Sequence, residues 1–68
     1  MITYIAKCKA DAEKFLADAY FACIEEKYVQ TSTGQTKVMD GLSDDGRIIE
    51  RIIICPVEYL TASNKERI

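Results

Sequence analysis

The chain has 68 residues, nearly half of them apolar, with acidic and basic residues interleaved to a net charge of −2. That length makes a single domain close to the lower limit for an unstapled core, and the mixed composition excludes a disordered or membrane-spanning chain. The absence of clustered Lys and Arg argues against a nucleic-acid partner, which needs a positive surface for phosphate.

The opening segment, Met1 to Cys8, carries no charged leader and only a short apolar stretch, so it is expected to be neither a signal peptide nor a membrane helix. A cytoplasmic location follows as the expectation. Its loose alternation, with Ile2, Tyr4, Ala6 and Cys8 on one side, predicts a first strand. From Ala10 to Tyr28 the composition turns to Ala, Glu, Lys, Leu and Phe without Gly or Pro, which predicts a helix of about five turns. Winding it at about 100° per residue separates two apolar stripes. Ala12, Phe15, Leu16, Ala19 and Cys23 form the stripe expected to pack on a sheet. Ala17, Phe21, Ile24 and Tyr28 form a second, which is left for another protein to cover.

Val29 to Gln35 reads as a polar connection and Thr36 to Leu42 as a second strand. Asp45-Gly46 suits a two-residue type I′ turn, because Asp and Gly tolerate positive φ. With that loop Leu42 faces Ile49, Asp40 faces Arg51, Val38 faces Ile53 and Met39 faces Ile52. The third strand, Arg47 to Cys55, is the most β-branched run in the chain and is expected at the centre of the sheet. Opposite charges across a ladder are favourable, and burying the Asp40 and Arg51 pair would need full compensation. The pair therefore assigns its own face to the outside. Ile48, Ile52, Ile54 and Met39 should point to the helix, and Val38, Leu42, Ile49 and Ile53 should surround Asp40 and Arg51 on an open face.

These elements predict an α+β fold of order βαββ. One helix should cover one face of a three-stranded antiparallel sheet of order 1-3-2, over residues 1–60. Residues 61–68 are expected to be a polar, frayed tail. In a domain this small the open face and the second helix stripe are surplus apolar surface, which favours a homo-oligomer, a dimer first, and a protein partner.

Chemistry finds little support. With no histidine the commonest general base is missing, so no enzyme is expected. Cys8, Cys23 and Cys55 are widely spaced without a C-x-x-C pair and read as reduced, buried thiols rather than metal ligands, so neither metal nor cofactor is expected. The one ligand-like stretch is the Gly and Thr loop containing Thr31, Ser32, Thr33, Gly34 and Lys37, which resembles a phosphate-binding loop only in composition. Two readings follow. The first is a homo-oligomeric protein-binding module that inhibits or adapts a larger macromolecule, as small phage-borne and mobile-element inhibitors do. The second is a small-ligand, nucleotide-like binding or sequestering protein with pockets between protomers.

Overall fold

The computed structural model describes residues 1–32 and 34–68. Its elements are β1 (Ile2–Ala6), α1 (Lys9–Ala17), β2 (Cys23–Thr31), β3 (Gly34–Leu42), β4 (Ile48–Ile54), α2 (Pro56–Thr61) and β5 (Glu66–Arg67). They form one five-stranded mixed sheet in the order β2-β3-β4-β1-β5.

This overturns the expected three-stranded antiparallel sheet with one helix. The expected helix is divided: α1 ends at Ala17, and the residues from Cys23 onward form a strand. Glu25, Glu26 and Lys27 favour a helix locally, but Cys23, Ile24, Tyr28, Val29 and Thr31 favour a strand, and β2 pairs with β3 along its whole length, from Cys23↔Leu42 to Thr31↔Gly34. Tertiary pairing outweighs a weak local preference.

One extra strand also reverses a direction. The crossover through α1 ends at β2, and β3 and β4 then alternate, so β4 runs parallel to β1, from Ile2↔Glu50 to Ala6↔Ile54. The isoleucine-rich β4 lies between β3 and β1.

A second crossover, β4-α2-β5, passes β1 and adds β5 parallel to it. The two crossovers travel toward opposite edges. Because such connections are right-handed, α1 and α2 lie on opposite faces of the sheet. Ala12 and Leu16 of α1 are buried against Ala6, Met39 and Ile52, with Tyr4, Phe15, Phe21, Ile54 and Ile68 packed around them. Ile5 alternates to the other face, where α2 packs on β1, and is wholly buried.

The C-terminal segment is docked rather than frayed. Glu66-Arg67 pairs with β1, the Ile68 amide donates to the Ile5 carbonyl at 2.9 Å, and the Tyr59 hydroxyl donates to the Ile68 carbonyl at 2.9 Å. The polar sequence of the segment conceals this pairing, which corrects the expectation of a frayed tail.

The β3–β4 hairpin keeps the expected body of the register, with Asp40↔Arg51, Val38↔Ile53 and Met39↔Ile52. Its turn differs. Among the described residues only glycines have positive φ, so Asp45 cannot take the first central position of a type I′ turn. Asp44, Asp45 and Gly46 instead form a three-residue loop, with Gly46 at φ 83° donating its amide to the Ser43 carbonyl. The longer loop shifts the register by one, so that Leu42 pairs with Ile48, and a bulge between Gly41 and Leu42 restores it. Ile48, expected toward the helix, therefore shares Leu42's face, and Ile49 is left at the irregularity.

No helix among the described residues is long and apolar enough to cross a membrane.

Candidate functional site at the β2 edge

β2 is the outermost strand on one side of the sheet, nine residues long, and among the described residues it pairs with β3 alone. Alternate residues of such a strand turn their N–H and C=O groups outward, where they can take another strand. Neither proline nor a register shift interrupts it.

Its even-numbered side chains lie on the α1 face. Glu26 sits between two ammonium groups, paired with Lys37 across the ladder and with Lys9 of α1 at 3.1 Å. The Lys37 ammonium first, and then Lys9, hold its carboxyl below the usual carboxylate range. On either side of Glu26, Ile24 is 45 % exposed and Tyr28 64 %. Ile24 borders a shallow groove with Leu16, Ala17 and Met39, with Lys9 and Glu26 at its rim.

The odd-numbered side chains lie on the other face. Lys27 is 3.7 Å from Glu25 and 3.3 Å from Asp40, and Asp40 also accepts two hydrogen bonds from Arg51, at 2.8 and 2.9 Å. Asp40 is fully buried. Burial pushes its carboxyl upward, but the Arg51 and Lys27 contacts outweigh this and hold it below the usual range. The arrangement is an ion-pair cluster, and among the described residues every buried side-chain nitrogen and oxygen has a hydrogen-bond partner.

The positions expected to meet a partner are thus divided. Val38 and Asp40 are wholly buried and Leu42 nearly so, which removes them from any surface that a partner can reach on this fold. A buried ion pair needs compensation, so the pairing by itself points to an exposed face; here bidentate geometry from Arg51 and a second cation, Lys27, supply that compensation. Arg51 and Ile53 are partly buried, and Ile49 is 41 % exposed at the bulge. The helical stripe does not exist as a stripe. Ala17 ends α1, and Phe21 lies in the connection to β2, its ring against Gly41 where a Cβ would lie 2.7 Å from it. Ile24 and Tyr28 are exposed on β2, so two residues assigned to a helix face meet again on a strand edge.

The ligand-loop residues are the β2–β3 hairpin. The Thr31 hydroxyl donates to the Gly34 carbonyl at 2.6 Å, Ser32 is exposed in the turn, and Lys37 is engaged by Glu26. Thr33 lies outside the described residues. Cys8 and Cys23, expected to be buried, are exposed, and Cys55 is partly buried. Among the described residues no three His, Cys, Asp or Glu groups converge as a metal site would need.

Sequence reasoning missed β2 because it extended the helix through it. The signal was the clustering of strand-prone residues from Tyr28 to Thr31, immediately before a two-residue gap and Gly34. Comparison with protein families, with curated proteins and with solved structures gives no match, so the site is read from its own geometry.

Proposed function

We propose that this chain is a protein-interaction module that docks another polypeptide strand on the β2 edge. The observation that carries the reading is a nine-residue edge strand with exposed Ile24 and Tyr28 beside outward-turned main-chain groups. Strand addition obtains its affinity from main-chain hydrogen bonds and its specificity from side chains at alternate positions. On this reading the protein acts by occupying a surface of a larger macromolecule, as an inhibitor or adaptor, without catalysis of its own. We place it in the cytoplasm, where its three free thiols stay reduced.

The small-ligand reading is the weaker one. Two of the polar groups that would receive an anion at the β2–β3 hairpin have partners within the chain, Lys37 on Glu26 and Thr31 on Gly34.

Photo-crosslinking tests the docking reading. A benzophenone side chain at position 24 or 28 should capture protein, whereas one at Val57 or Leu60, which are 76 % and 79 % exposed on α2, should capture none. Equal capture from α2, or none from β2, would overturn it.

A further inference from the structure

We propose that the strand received by the β2 edge is β2 of a second copy, paired antiparallel about a two-fold axis at Glu26. This rests on the reading of β2 as the docking edge and names the occupant.

The register follows from symmetry and charge. A two-fold axis perpendicular to the sheet keeps each face on its own side, so residues paired across it must both be even-numbered or both odd-numbered. Centring the axis on Glu25 sets Lys27 opposite Cys23, and centring it on Lys27 sets Glu25 opposite Val29, so neither register brings opposite charges together across the ladder. Centring it on Glu26 places Glu25 opposite Lys27 of the second copy, and Lys27 opposite its Glu25. Opposite charges directly across a ladder are favourable and like charges are not. The two Glu26 side chains that meet at the axis each carry their own cations, Lys37 and Lys9, and so arrive neutralised.

The same register pairs the apolar residues. Ile24 comes opposite Tyr28 of the second copy, twice over, and both residues lie on the α1 face, where each is exposed. The incoming Tyr28 ring then lies beside the groove of Leu16, Ala17 and Met39, which Ile24 borders. On the other face Cys23 comes opposite Val29. Apolar contact, charge complementarity and main-chain pairing thus agree in one register, and two five-stranded sheets join into a single sheet of ten strands.

Sedimentation and site-directed cross-linking test this with the whole chain. The wild type should sediment as a concentration-dependent dimer. Glu25→Lys should raise the dissociation constant at least tenfold while leaving the circular dichroism unchanged, since Glu25 is half-exposed and, among the described residues, pairs only with Lys27. With the native cysteines changed to Ser, the double variant Ile24→Cys/Tyr28→Cys should form a disulfide-linked dimer on mild oxidation. Residues directly opposite are about 5 Å apart, whereas positions 24 and 28 of one strand are about 13 Å apart and cannot close on themselves. Ile24→Cys alone should stay monomeric on a non-reducing gel. A wild type that is monomeric at millimolar concentration would overturn the dimer, and so would equal linkage of the single and double variants. Should β2 positions capture a different protein while the chain itself stays monomeric, the docking reading stands and the second copy is wrong. Failure of capture at β2 altogether removes both.

Discussion

At one side of the sheet β5 contributes two residues, and the chain around it is fastened to α2 by Arg67, whose guanidinium donates to the Tyr59 and Ala62 carbonyls at 2.7 Å each. At the other side β2 runs for nine residues, and its outer border carries Ile24, Tyr28 and a pattern of charges. Natural sheets guard their edges by keeping edge strands short, by covering them or by interrupting them. The β5 edge shows the first device, whereas β2 is long and uninterrupted and carries only the charges of Glu25, Glu26 and Lys27 between its apolar residues. The difference teaches that an open edge in this molecule is a position left available, because the same chain closes its other edge within a few residues.

The largest expected effect comes from the cluster that holds the open edge to the rest of the sheet. Arg51→Met keeps the apolar stem but leaves the buried Asp40 with Lys27 as its one cation among the described residues. We expect a loss of roughly 3 kcal/mol in urea unfolding, the low end of what losing one partner of a buried pair costs, because the second cation remains. The pH dependence follows the same residue. The Asp40 carboxyl lies below its ordinary value in the folded chain, and so does that of Glu26. Their contribution is therefore complete above the ordinary carboxylate range near pH 4 and is lost as the pH falls through their lowered folded values. Arg51→Met should move the acid-unfolding limb to higher pH, and an unchanged limb would show that Lys27 carries the cluster.

A second change tests how β2 is entered. Gly41 of β3 lets the Phe21 ring lie directly on the backbone, and a Cβ at that position would come within 2.7 to 2.8 Å of three ring carbons. Gly41→Ala should expel the ring and cost about 1–3 kcal/mol, in the manner of an overpacked site. Thermal unfolding measures the loss. The double variant Gly41→Ala/Phe21→Leu should recover part of it if the ring is the obstacle. Because Phe21 leads into β2 and not β5, amide exchange should quicken in β2 while the amides of β5 keep their rates.

Much of the closed half of the molecule was legible in the sequence, and the open half was not. Ile52, Ile54 and Met39 follow from alternation across a hairpin, and Asp40 opposite Arg51 follows from the register of the assumed turn, with their opposite charges as a check. These survive because a longer turn and a bulge shift the register in opposite senses and cancel. β2 was concealed by Glu25, Glu26 and Lys27, whose helical preference is a few tenths of a kcal/mol and yields to a full ladder with β3. Once β2 is missed, the parity of strand directions is reversed, and β1 and β4 can only be read as antiparallel. The burial of Asp40 was concealed for another reason. No sequence pattern announces that Lys27, from a strand not yet recognised, will supply the second cation.

The smallest expected effect lies at the closed edge. Arg67 adds a cationic group at the C-terminal end of α2, where carbonyls lack helical partners and a positive charge is favourable. Its two hydrogen bonds help to keep the chain after α2 turned back onto β1, beside the Lys65–Glu58 ion pair and the Tyr59 hydroxyl bond to Ile68. Arg67→Ala should cost about 1 kcal/mol, since the side chain is exposed and water can replace part of what it gives. The local result is sharper than the global one. The Ile68 amide, which donates to Ile5, should exchange several-fold faster as β5 frays, while the β2 amides hold their rates. If β2 loosens together with β5, the two edges are energetically one unit. The long edge would then owe its order to the short one, and the contrast between an open and a closed side would fail.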